Sequence, residues 1–213
     1  IAVAWGKGLE DLFSSLGVNK VVAGGDTMNP SVQEMLSVVE SLPSNNVIIL
    51  PNNANIVPAA VQTAENSKKT VKVVASRSIP QGISAILSFN PEKSLDSNVS
   101  IMMDAMALVR TGEVTRAARS VTINDVVVES GSLIGMLERE LVGTGADLSE
   151  VTKAVLSAAQ VSDGDLVSLY WGEEISLEDA EFVSKMVTQV FPGVDIELVY
   201  GGQPHYDLIM SIE

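Results

Sequence analysis

The residue types best suited to chemistry lie in Thr27-Met28-Asn29-Pro30-Ser31 and Asn52-Asn53-Ala54-Asn55. Pro30 suits the first position of a helix, where its missing N–H costs nothing. Asn29 is then expected at the N-cap, with the Thr27 and Ser31 hydroxyls beside the helix start. A helix N-terminus with unpaired amides and a positive dipole end suits a carboxylate or a phosphate. The same residues also make an ordinary capped helix, and both readings stand. Asn52, Asn53 and Asn55 follow an apolar run directly. Asn tolerates left-handed backbone and makes turns, yet three amides in four positions exceed what a turn needs. Pro80-Gln81-Gly82 follows a fourth run and either shapes a strand-to-helix turn or adds Gln81 and Gly82 to the same site.

Other chemistry is thinly supplied. The lone histidine, His205, would need an orienting carboxylate to serve as a base, and Asp207 is two residues on. Glu173, Glu174, Glu178, Asp179 and Glu181 lack the spacing of a calcium loop and read as a solvated helix start rich in acids. There is no Gly-x-x-x-x-Gly-Lys-Ser/Thr phosphate loop and no Gly-x-Ser-x-Gly elbow. With no cysteine, a thiolate metal site and a disulfide are excluded within the chain. No complete set of nucleophile and base supports an independent enzyme such as a phosphatase.

The elements that must position these residues alternate in type. Strand-like runs at 1–5, 18–23, 47–50 and 71–75 each lead through a polar loop into helix-like stretches at 8–16, 30–41, 56–66 and 82–89. This alternation argues for βαβ units and a parallel sheet. Loops after parallel strands open at one edge, where such sheets bind ligands. A helix over 95–109, ended by Thr111-Gly112, is expected to bridge two lobes. Beyond it the spacing predicts strands at 114–123, 126–129, 133–142, 165–171, 195–200 and 206–212, with helices at 148–160 and 176–190. Asn124-Asp125 and Ser130-Gly131 are hairpin-type turn signals. The expected fold class is therefore α/β, with a parallel βαβ lobe over 1–94, a bridging helix over 95–112 and an α+β lobe with a mixed sheet over 113–213.

The 213 residues, 46% of them hydrophobic, suffice for a sizeable core. The formal charge of −14 is uneven: −1 over residues 1–110 and −13 over residues 111–213. Phosphate binding needs a basic footprint, so a nucleic-acid partner is disfavoured, as is adsorption to an anionic membrane. No apolar run is long enough to cross a bilayer. The expectation is a soluble, cytoplasmic chain, and the acidic half either receives a basic partner or only solvates the surface. Ile1 stands inside a strand pattern with no initiator Met, which reads as a fragment lacking an N-terminal part.

Five segments in order carry a family resemblance: Gly24-Gly25-Asp26-Thr27-Met28-Asn29-Pro30-Ser31, Ile48 to Ile56, Ile79 to Ala85, Phe89-Asn90-Pro91 and Gly201-Gly202-Gln203-Pro204. The chain resembles the C-terminal region of the bacterial dihydroxyacetone-kinase-like proteins, the catalytic component of fatty acid kinase. The resemblance implies a two-lobed, DegV-like module that is itself non-catalytic. It would dock a fatty-acid-loaded DegV-type protein, so that an N-terminal domain using ATP and Mg²⁺ makes acyl-phosphate for phospholipid synthesis. No cofactor is expected in this chain. Upstream domains and a homodimer complete the partner expectations. Thr27, Pro30 and Ser31 match the Thr-Ser-x-Pro-Ser loop that helps DegV-type proteins bind the fatty-acid head group, with Met28 in place of the first Ser. Gly201 to Pro204 departs from the His-x-Gly-Pro-Gly pattern of the lipid-binding relatives. The alternative is a module that holds a fatty acid or another small anion itself, through Thr27, Asn29, Pro30, Ser31, Asn52, Asn53, Gln81 and Gly82.

Overall fold

In the computed structural model, residues 1–25, 27–123 and 126–213 are described, the side chains of 121–127 excepted. Asp26 and the Asn124-Asp125 turn signal lie outside the described residues. The chain divides into two compact units, one of Ile1–Trp5 with Leu9–Val109, the other of Gly6–Gly8 with Arg110–Glu213.

The first unit alternates β1 (Ala2–Ala4), α1 (Lys7–Ser15), β2 (Val21–Ala23), α2 (Val32–Ser41), β3 (Asn46–Ile49), α3 (Val57–Asn66), β4 (Thr70–Val73), α4 (Ile79–Leu87) and α5 (Leu95–Met106). β1 pairs with β2 and β3 with β4, both in parallel. The pairs meet at the Ala2–Leu50 bridge. There Ile1 N donates to Ile48 O at 2.8 Å, Leu50 N to Ile1 O at 2.9 Å and Val3 N to Leu50 O at 2.9 Å. The spatial order is therefore β2-β1-β3-β4, which reverses direction between β1 and β3, the switch point where doubly wound sheets bind ligands. α2 and α3 bury Met35, Val39, Ile56 and Ala60 against Val3, Val22, Val47 and Ile49. α4 and α5 pack on each other, and α5 lies on β3 and β4.

Several boundaries differ from the expectation. α2 begins at Val32, not Pro30, and its N-cap is Ser31, not Asn29, because Ser31 and Glu34 form a reciprocal capping box that fixes the start two residues beyond the proline. Ser78 caps α4, which begins at Ile79 and carries Pro80, Gln81 and Gly82 inside its first turn. α5 ends at Met106 and packs within the first unit.

The second unit holds a six-stranded sheet in the order β11-β10-β12-β5-β8-β9. Its strands are β5 (Arg110–Arg116), β8 (Leu133–Leu137), β9 (Glu140–Gly145), β10 (Leu166–Trp171), β11 (Asp195–Tyr200) and β12 (Tyr206–Ile212). Only the β10–β11 pair is parallel. β6 (Val121–Ile123) and β7 (Val126–Val128) pair separately. α6 (Leu148–Ala158) and α7 (Leu177–Val190) bury Val151, Val155, Leu156, Val183 and Val187 against Val114, Leu133, Leu169, Leu208 and Met210. The run expected as one strand over 114–123 is broken at Ala117–Ser120, and the run over 133–142 folds back at Glu138-Arg139. Both turn residues have positive φ, 48° and 71°, as a type I′ hairpin requires. Glu138 returns its carboxylate to the Thr111 N–H and its own N–H to Thr111 O. These bonds hold a turn that carries neither Gly nor Asn.

Candidate functional site

The loops after β2 and β3 meet the residues that end β1, and the loop after β4 joins them through Ser76 and Asn52. Gly24, after β2, donates its N–H to Ala4 O at 3.2 Å. It also lies so close to Val3 and Pro30 that an added Cβ would come within 2.8 Å of both side chains. The loop after β3 reaches Val3 from the other flank. The ladder between β3 and β1 would next place the Asn52 N–H on Val3 O. Asn52 instead has φ 56°, so its backbone turns away and donates to Ser76 Oγ at 3.0 Å. Its side-chain Nδ2 donates to Val3 O at 2.9 Å and supplies the missing rung. Ser76, beyond β4 and fully buried, donates its hydroxyl to Asn52 Oδ1 at 2.6 Å. Gly82 of α4 packs on that amide. Gly24, which leads into Thr27–Ser31 through the Gly25–Met28 bridge, and Asn52 thus meet the neighbouring residues Ala4 and Val3, at one sheet edge.

Much of the expected binding chemistry at this edge is engaged within the chain. The Ser31 N–H and hydroxyl donate to Glu34 Oε2 at 2.7 and 2.8 Å, and Glu34 N donates to Ser31 Oγ at 3.2 Å. A carboxylate of the protein itself therefore holds the position at the α2 N-terminus that suits an external anion. Those two donors, the backbone one first, hold the Glu34 carboxyl below the usual carboxylate range. Asn53 Oδ1 accepts from Asn55 N at 2.8 Å and leads the chain into α3. Gln81 Oε1 accepts from Arg77 N at 2.8 Å. Asn52 is 5% exposed. What faces solvent is Thr27, Met28 and Asn29, and the Asn29 side chain makes no hydrogen bond among the described residues.

A second constellation, of which sequence reasoning weighed His205, Asp207 and Gly201–Pro204 but not Trp171, Tyr200 or Arg116, lies in the second unit at the carboxyl ends of β10 and β11. The Trp171 and Tyr200 rings pack against each other at a tilt of 55°, with their centroids 4.5 Å apart. Gly6-Lys7-Gly8 runs beside Tyr200 to Gln203, so closely that a Cβ on Gly8 would lie 2.0 Å from Tyr200 O. Gln203 is buried; its Nε2 donates to Tyr170 O at 2.8 Å, while its Oε1 has no partner among the described residues. Asp207 occupies a β-bulge of β12 opposite β5 and is 4% exposed. Arg116 Nη2 stands 3.2 Å from Asp207 Oδ2, within ion-pair range but without an aligned hydrogen bond. Burial, opposed by Arg116 and reinforced by Glu174, pushes the Asp207 carboxyl up. The exposed His205 has φ 69°. β12 is buried on both faces from Asp207 to Ile212, so it has no alternation for the bulge to interrupt, and the Asp within that apolar run is the signal the sequence offers.

Among the described residues, no group of three or more Asp, Glu or His side chains is placed to hold a metal, and no helix is long and apolar enough to cross a membrane.

The model of the fatty acid kinase family described as FakA-like, C-terminal, matches residues 1–213. The chain belongs to that family. Protein YloV of Bacillus subtilis is 35% identical over 213 residues, which are all of this chain and 38% of that protein. The chain thus spans about two-fifths of the length of the curated relatives it matches. Among solved structures, a DegV family protein, Cg2579 from Corynebacterium glutamicum, superposes with a TM-score of 0.65 at 12% identity, covering 99% of this chain and 95% of that one. The Streptococcus pneumoniae fatty acid kinase B3 protein loaded with linoleic acid gives a TM-score of 0.59 at 13% identity over 86% of this chain and 76% of that one. At such identities the likeness is one of fold. It bears out the α/β class, with parallel strands in the first unit and a mixed sheet in the second.

Proposed function

We propose that this chain is the non-catalytic C-terminal module of a fatty-acid-kinase-like protein, and that it docks a fatty-acid-loaded DegV-type partner in the cytoplasm. Acyl-phosphate formation, with its ATP and Mg²⁺, belongs to an N-terminal domain of the longer protein. Family membership supports the assignment to this system. The observation that carries the docking role is the carboxylate of Glu34 on the Ser31 amide and hydroxyl. An external head group would have to displace it, whereas a protein surface can seat on the exposed Thr27, Met28 and Asn29 without doing so. The test is titration of the purified chain against a purified DegV-type protein carrying a fatty acid. Saturable binding, weakened by Met28→Glu, is expected. Absence of binding at high micromolar partner concentration overturns the reading.

The second reading, a module that itself holds a fatty acid or small anion at the same edge, is supported by the fold likeness to the linoleic-acid-loaded protein. Native mass spectrometry separates the two. A co-purified acyl chain that disappears on Thr27→Ala with Asn29→Ala favours the second reading, and empty protein that still captures the partner favours the first.

A further inference from the structure

The first unit carries a cavity on the side of its sheet away from the loops discussed above. It opens among the starts of β1, β2 and β3, the loop after α2 and the facing ends of α4 and α5. Its volume is about 330 Å³, at the lower end of the roughly 300–1,000 Å³ usual for small-molecule sites. The larger part of the wall is apolar, contributed by Val47, Leu50, Ile86, Phe89, Leu95 and Met102. Lys93 stands on the rim and makes no ion pair among the described residues. The Asp96 carboxylate on the same side of the fold is held by Lys72 at 3.0 Å. Asn98, at the base of the rim, spends its side chain on Asn90 and on the carbonyls of Lys93 and Ser94. It therefore fixes the loop that carries Lys93, whose ammonium shares the lining with Asn19, Ser44, Asn46 and Ile1, the last spending its α-ammonium on Ile48 O at 2.8 Å.

We propose that this cavity binds an amphiphile: a medium-length apolar chain seated on Met102 and Phe89, ending in a carboxylate or phosphate that meets Lys93. The apolar wall selects the chain by burial, and the unpaired cation at the mouth selects an anionic end over a neutral one. The site is separate from the Thr27–Ser31 edge and stands whether or not the chain docks a DegV-type partner.

Calorimetric titration with dodecanoate, dodecyl phosphate and dodecanol tests it. Dodecanoate or dodecyl phosphate is expected to bind saturably and more tightly than dodecanol, and the ratio of the two anions tells a free acid from a phosphate-headed lipid. Lys93→Gln, at an exposed position, should weaken the preferred anion about three- to fivefold and leave dodecanol unchanged. Met102→Trp should abolish binding of all three, and Phe89→Ala, at a half-exposed position that folding tolerates, should weaken all three. Thr27→Ala with Ser31→Ala should change nothing. No saturable binding, indifference to both Met102→Trp and Phe89→Ala, or loss on the Thr27/Ser31 changes overturns the proposal. So does loss of binding in a longer natural form of the chain, which would mean that polypeptide fills the cavity.

Discussion

The side chain of Asn52 donates to Val3 O at 2.9 Å and takes the ladder position that its own backbone amide leaves vacant. One residue thereby ends β3, holds β1 and captures the Ser76 hydroxyl. Its polar groups are spent on the fold, so its part in the site is to position the loop. Asn52→Ala leaves the buried Val3 carbonyl and Ser76 hydroxyl without partners and keeps a left-handed φ. The expected loss is about 2–4 kcal/mol in urea unfolding. Asn52→Gly accepts the φ without restoring the bonds and should fall between wild type and Asn52→Ala.

Gly82 tests the same contact from α4. In an ordinary helix, Gly→Ala gains about 1 kcal/mol. Here the new methyl would lie 2.0 Å from Asn52 Oδ1, so Gly82→Ala should destabilise the protein. In the Asn52→Gly background the clash is removed and the substitution should become neutral or favourable. A double-mutant cycle measured by denaturation reads this sign reversal directly.

The capping box of α2 predicts an acid-sensitive element. The Glu34 carboxyl is lowered by the Ser31 N–H and then by the Ser31 hydroxyl. Its contribution is complete above the unfolded-state pKa of a glutamate, about 4.3, and fades as the pH falls through the lower folded value. Ser31→Ala should cost about 1 kcal/mol at neutral pH. The gap between the variant and wild type should narrow in acid, as followed by thermal melts across the carboxylate range.

Asp207 should behave in the opposite sense. Its carboxyl is raised, first by burial, so the folded protein prefers the protonated form. Stability attached to this group is full below the unfolded-state pKa of an aspartate, about 3.9, and is lost as the pH rises through the raised folded value. Asp207→Asn should remove that loss, so wild type falls relative to the variant as the pH climbs across this window. Arg116→Gln should raise the carboxyl further, visible in the carboxyl carbon shift by NMR.

Residues 111–213 carry a net charge of −13. Glu173, Glu174 and Glu178 gather at the start of α7 beside the exposed Leu177 and Phe182. If a basic partner surface is steered to this end, changing the three acids to Gln should slow association at low salt. The difference should shrink as salt rises toward physiological strength. Equal association rates at every salt concentration would assign these acids to solvation alone.

The strand-and-helix alternation of the first unit was readable because three of its four apolar runs are closed by Gly or Pro and the fourth by Ser76, while the Ser176–Asp179 capping pair marked the start of α7. Where the chain turned by other means, the signal was missing. Glu138-Arg139 bends a hairpin through two charged residues, and its stabilising partner, Thr111, lies 27 positions away. Pro80 read as a loop residue, although its ring fits the first turn of α4 behind the Ser78 cap. The candidate edge was visible as a cluster of amides and hydroxyls. Which of them face outward was not, because Asn52 and Ser31 are consumed by bonds to Val3, Ser76 and Glu34 that depend on the folded chain.

The short seam between β1 and β3 has a mechanical meaning. Three backbone rungs and the Asn52 amide fasten one strand pair to the other. Loosening at that line would let the β1–β2 half hinge from the β3–β4 half with each half intact. The Val3 and Leu50 amides should then exchange with deuterium as one cooperative group, ahead of those inside either pair.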